Sequence, residues 1–137
     1  MIRPIMRDPL FLNQKSEEAV YPQDAQVLTD LMDTLKANQE RCVGMAANMI
    51  GVRKRIIAFY AGPFCVGMFN PEIVKKTGPY ETAEGCLSLD GERKTLRYQS
   101  IEVVYRDQQF KPQRTAYTGW VAQIIQHEID HCNGILI

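Results

Sequence analysis

Two histidines are all this chain contains, and they lie four residues apart in His127-Glu128-Ile129-Asp130-His131. Positions i and i+4 share one face of a helix, with Cβ atoms about 6 Å apart. Two imidazoles placed there can converge on one metal ion at about 2.0–2.1 Å. From position 128 a carboxylate can reach a water polarised by that ion and act as general base. The surroundings predict a helix from about Gly119 to Asn133, with Thr118 as N-cap and Gly134 as the stop. A surface helix that happens to carry two histidines is the competing reading.

A catalytic metal usually takes three protein ligands and keeps one position open. After His131 come only Cys132, Asn133, Gly134, Ile135, Leu136 and Ile137, and Cys132 at i+1 points away from the histidine face. The third ligand is therefore expected upstream. Glu84-Gly85-Cys86-Leu87-Ser88 offers Cys86, beside a glycine that lets the backbone approach closely, and a thiol on a divalent cation is deprotonated outright. Taken alone, such a cysteine is more often an inert buried residue; a two-histidine helix short of a ligand reverses that. Glu81, Glu84 and Asp90 are the fallback ligands.

The other cysteines are Cys42, Cys65 and Cys132, and no CxxC pair is present, which weighs against a zinc ribbon or a thioredoxin-like site. Pro4, Asp8 and Pro9 break the apolar residues of the first segment, so no secretory signal is expected there. Reduced thiols and a cytoplasmic location follow as expectations. With 16 basic and 16 acidic side chains, the charge balance argues against a nucleic-acid partner. No apolar run approaches the roughly 20 residues that span a bilayer, so no membrane is expected either.

A length of 137 residues, 45% hydrophobic, suits one domain over 1–137. Residues 1–21 read as irregular chain wrapping over the body. Val27, Leu28, Leu31, Met32 and Leu35 predict a helix near residues 24–38, entered after Pro22 and Asp24. Arg55–Ala61 and Phe64–Phe69 read as strands around a Gly62-Pro63 turn. Asn70-Pro71 is expected to break the second run, Glu72–Lys76 to resume it, and Gly78-Pro79 to turn again. Ser100–Arg106 alternates as a half-buried strand does. Helix, strands, helix without βαβ alternation gives an α+β fold, mainly antiparallel short sheets around a C-terminal metal-binding helix.

Gly44-Met45-Ala46-Ala47, Glu84-Gly85-Cys86-Leu87-Ser88 and Gln126-His127-Glu128-Ile129-Asp130-His131, with Asn70-Pro71-Glu72 between the first two, are similar in order and spacing to the motifs of peptide deformylase. The resemblance covers nearly the whole chain. It implies one metal ion held by Cys86, His127 and His131: ferrous iron first, with zinc or nickel able to take its place. It implies removal of formyl from N-formylmethionyl nascent peptides, releasing formate. Glu128 would be the proton carrier and the Leu87 N–H an oxyanion donor, with Gly44 in the same catalytic set. Val43, Gly44, Gly85, Arg93, Trp120, Gln123 and Ile124 would form the substrate groove. A monomer or weak dimer with transient ribosome contact is implied. Many bacterial members extend into a C-terminal helix that, in some, helps ribosome docking; no such helix is expected here, so any ribosome contact would need another surface.

The chain departs from the family's roughly G-x-G-x-A-A-x-Q pattern, reading Cys42-Val43-Gly44-Met45-Ala46-Ala47-Asn48-Met49. Met49 replaces the glutamine whose side chain is the second oxyanion donor, and a thioether cannot donate. Asn48 could substitute only if the backbone turned its amide inward. Gln123 stands where the family usually has an apolar residue; it would either retune the pocket or solvate at the rim. Asp90 replaces a common proline. The alternative function is a deformylase-like module of low or no activity that binds N-formyl peptides or metal. An HExxH endopeptidase is disfavoured because no ligand lies downstream.

Overall fold

The computed structural model describes residues 1–137. A short turn of helix, α1 (Pro9–Leu12), precedes α2 (Ala25–Ala37). Then come β1 (Gly44–Ala46), a 3-10 turn over Ala47–Ile50, β2 (Ile56–Ala61), β3 (Phe64–Cys86), β4 (Leu89–Arg106), β5 (Pro112–Thr118) and α3 (Gly119–Cys132). The strands form one antiparallel sheet in the order β1-β2-β3-β4-β5.

Alternation along β2 explains how two helices share this sheet, because successive side chains point to opposite faces. Ile56 and Ala58 join Leu28, Leu31 and Leu35 of α2, together with Met45 and Phe69. Ile57 and Phe59 join Ala122, Ile125 and Ile129 of α3, together with Met68, Ile101 and Val103. Both faces are thus apolar, and β2 is buried from Ile56 through Phe59. Each fully buried leucine or isoleucine here contributes about 1.5–3 kcal/mol of transfer free energy. Residues 1–21 lie over this body as expected: the Met6 N–H donates to the Met49 carbonyl at 2.7 Å, and Ser16 N–H to the Cys132 carbonyl at 2.8 Å.

Two local expectations need correction. Asn70-Pro71 does not break the strand; it makes a bulge inside β3, with Asn70 at φ 51° and its amide bonded both ways to the Ala19 backbone. Gly78-Pro79 does not turn the chain, since Thr77 pairs with Ser100 and Pro79 with Tyr98. The reason is the sheet's layout: β3 is paired with β2 only over residues 64–69, so beyond Phe69 it has one open edge that tolerates proline. Thr118 does occupy the N-cap of α3, but its side chain makes no capping bond. Gly134 ends α3 at φ 75°, where a Cβ would fall 2.9 Å from the Asn13 carbonyl oxygen. Only glycine serves both requirements. No helix is long and apolar enough to cross a membrane.

Candidate metal centre

The site is built where alternate residues of β3 meet a four-residue repeat along α3. Tyr80, Glu84 and Cys86 share one strand face; Gln123, His127 and His131 share one helix face. The two rows meet in order. The Tyr80 hydroxyl donates to Gln123 Oε1 at 3.1 Å, and His127 Nδ1–H donates to Glu84 Oε1 at 2.8 Å. Cys86 Sγ lies 3.3 Å from His131 Nε2. Gln126, on the adjoining face, bonds the Tyr98 N–H and carbonyl at 2.8 and 2.9 Å and so pins the helix to β4.

Cys86 Sγ and the two imidazoles offer ligand atoms within 4.8 Å of one another, with the two Nε2 atoms 3.1 Å apart. Three electron-pair donors packed this closely in a mostly buried place need a positive charge among them. The set of one thiol and two imidazoles suits a divalent transition metal. His127 Nδ1 must carry the proton, since a carboxylate can only accept; its Nε2 is then the atom left for the cation. Burial would lower the His127 pKa, but the Glu128 charge, Cys86 and Glu84 raise it to about 10. Burial and the His127 charge press His131 down to about 3.

Behind the histidines lies a charged network. Arg97 Nη2 and Nε donate to Glu84 Oε1 and Oε2 at 2.7 and 2.9 Å, and its Nη1 to Asp130 Oδ2 at 2.6 Å. Burial alone would raise Glu84, yet the bonds from His127 and Arg97 hold it at about 2. Glu84 is thus the orienting partner of a ligand rather than a fallback ligand, while Glu81 and Asp90 are exposed. Arg97 was invisible in the one-dimensional pattern; cross-strand pairing with Tyr80 puts it on the same face.

In front of the ligands is a cavity of about 590 Å³. Cys86, Leu87, Gly85, His127 and Glu128 line it on the metal side, and Val43, Gly44, Trp120, Gln123 and Ile124 along the groove. Arg93 does not line it; its guanidinium donates to the Asp90 carbonyl at 3.4 Å. His131 lies behind, fully buried. Arg7 and Arg41 also line the cavity and carried no distinguishing sequence signal. The Leu87 N–H enters no backbone or side-chain hydrogen bond of the chain, while its carbonyl accepts from Arg7 at 3.2 Å. Met49 lines the cavity at 1% exposure. Asn48 cannot stand in for a missing donor, because its amide donates to the His131 carbonyl at 2.9 Å.

Glu128 is 4% exposed, and its Oε1 has no partner. Burial pushes its pKa up to about 7, against the pull of His127, which suits a group that takes and returns a proton near neutral pH. Gly44 makes room for it: a Cβ there would fall 2.9 Å from Glu128 Oε2 and 2.7 Å from Ile124 Cγ2. Ile124 is stiff at χ1 in a helix and cannot yield cheaply. Gly44→Ala is expected to cost about 1–3 kcal/mol, read as a lower urea midpoint; an unchanged midpoint would show that both neighbours have slack.

Comparison with known proteins gives the same answer along the whole chain. The polypeptide deformylase family model matches residues 2–137. A peptide deformylase of Clostridium beijerinckii is 58% identical over 137 residues, covering all of both chains. Peptide deformylase 2 of Clostridium acetobutylicum is 34% identical over 91% of this chain and 85% of its own. A crystal structure of a peptide deformylase from Legionella pneumophila superposes with a TM-score of 0.87 at 34% identity, covering 99% of this chain and 83% of that one. A Met-Ala-Ser-bound class I type b enzyme from Acinetobacter baumannii does so with 0.88 at 26% identity, covering 99% and 97%. With the thiol, the two imidazoles and the buried carboxylate arranged as described, the chain belongs to the polypeptide deformylase family and is a metal-dependent amidohydrolase.

Proposed function

We propose that this chain, acting as one domain in the cytoplasm, removes the formyl group from N-formylmethionyl nascent peptides and releases formate. The observation that carries this reading is Glu128 Oε1, buried without a partner next to the Cys86, His127 and His131 cluster. Those three side chains hold a divalent cation, iron first and zinc or nickel in its place. When bound, the cation supplies Lewis acidity that brings a water's pKa towards neutrality and polarises the formyl carbonyl. Glu128 takes a proton from the attacking water as the new C–O bond forms. It delivers a proton to the leaving amine as the C–N bond breaks. The Leu87 N–H donates to the oxygen that gains charge.

The methionine side chain enters between Val43, Gly44, Trp120 and Ile124, with Gly85 at the backbone. The tripeptide in the Acinetobacter baumannii structure supports a peptide in this groove. The protein works as a monomer or weak dimer and meets the ribosome only transiently.

The test is formate release from formyl-Met-Ala-Ser by protein loaded with iron without oxygen. Formate should appear with the metal-loaded chain and not with the stripped one; metal bound without formate would favour a binding module instead. Aerobic handling should lower the rate, because the Cys86 thiolate climbs the oxidation ladder. Equal rates after aerobic and anaerobic handling would count against iron as the working metal.

A further inference from the structure

Gln123 stands on the groove side of α3, next to Ile124 and Trp120, where a hydrocarbon would serve the methionine pocket. Both ends of its amide are engaged. Nε2 donates to Glu84 Oε2 at 2.8 Å, and Oε1 accepts from the Tyr80 hydroxyl at 3.1 Å. The orientation is fixed, because Glu84 can only accept and must face the NH₂ end. Bonds at both ends do not describe an amide that simply solvates at the rim.

Glu84 has roughly four acceptor positions, and all are filled. His127 Nδ1 and Arg97 Nη2 take Oε1; Arg97 Nε and Gln123 Nε2 take Oε2. The Arg97 fork restrains the carboxylate along one edge, leaving it free to rock about that edge. Gln123 adds a third point from the helix that carries His127. It does so without charge, whereas a lysine would set a cation against the metal.

We propose that Gln123, held by Tyr80, is a positioning residue: it locks Glu84 onto His127 Nδ1 and so fixes the ring whose Nε2 grips the cation. The inference rests on the metal site of the proposed function, but its main readout is metal retention, which needs no substrate. A wild-type protein that holds metal yet releases no formate would sink the activity reading alone, because the retention comparison between parent and variant still decides this one.

Gln123→Leu, loaded with iron or zinc and challenged with a chelator, should lose metal several-fold more readily than the parent, short of the about 10–100-fold typical of removing a residue that bonds a ligand directly. With metal in excess, kcat should fall while KM for formyl-Met-Ala-Ser stays within about twofold. Tyr80→Phe keeps the bond to Glu84 but frees the amide, so it should shift retention in the same direction by a smaller factor. Gln123→Glu sets a second carboxylate against Glu84 and should retain metal less well than Gln123→Leu. If Gln123→Leu keeps its metal like the parent and changes only KM or the preferred first side chain, Gln123 is a pocket wall and the proposal is wrong. Should Gln123→Leu not fold, Tyr80→Phe decides: parental retention overturns the proposal.

Discussion

Glu128→Gln is expected to abolish formate release almost entirely, by about 10²–10⁴-fold in kcat, with the metal still bound. The substitution keeps the side chain's shape and removes its ability to accept a proton. The ligands are untouched, since Cys86, His127 and His131 form the cluster without it. Stability should move the other way at alkaline pH. Burial raises the Glu128 pKa from 4.5 to about 7, so the folded chain holds a proton that the unfolded chain has already released. The stabilisation from that proton is full below about 4.5 and is lost as pH rises through about 7. At pH 8 the parent therefore carries a buried charge that Glu128→Gln lacks, and the metal-free variant should melt no lower than the metal-free parent. Metal analysis, formate assay and thermal melting on one preparation check all three. A variant that turns over normally would remove Glu128 from the chemistry.

That prediction draws on residues close together in the chain, whose relative placement helix periodicity sets, which is why the sequence alone reveals them. His127, Glu128 and His131 lie within one and a half turns of helix, and helix periodicity fixes their faces. Cys86 was reachable by a weaker route, the lack of a ligand beyond His131. Glu84 was misplaced among spare ligands, because a sequence shows a carboxylate near a metal site but not which side of the imidazole it touches. Arg97 and Tyr80 belong to the site only through the antiparallel register of β3 and β4, a long-range fact. The same holds for Pro79 and Pro71: each is a turn signal locally, and each is absorbed because β3 beyond Phe69 has an open edge. Strand β5 went unread because Pro112–Thr118 is a largely exposed edge strand, with only Thr115 and Tyr117 partly buried.

Met49→Gln is expected to raise kcat of the iron-loaded protein by about 10²-fold, since removing one oxyanion donor from comparable sites costs about 10²–10³-fold. The Leu87 N–H is free to meet the developing charge, but no second donor comes from this side of the cavity. Met49 presents a thioether, and the neighbouring Asn48 amide is committed to the end of α3. A glutamine has nearly the length of methionine and leaves the Met6-to-Met49 backbone bond intact. The gain should carry a cost in stability. Met49 is 1% exposed and packs in the core cluster that holds α2 to the sheet, so an amide there loses hydration it recovers only in part, at about 1–3 kcal/mol. A faster variant with a lower melting temperature is the expected pair of results, a trade of stability for activity. If turnover does not rise while the variant stays folded and metal-loaded, the bound cation and the Leu87 N–H already hold the charge, and the thioether is no handicap.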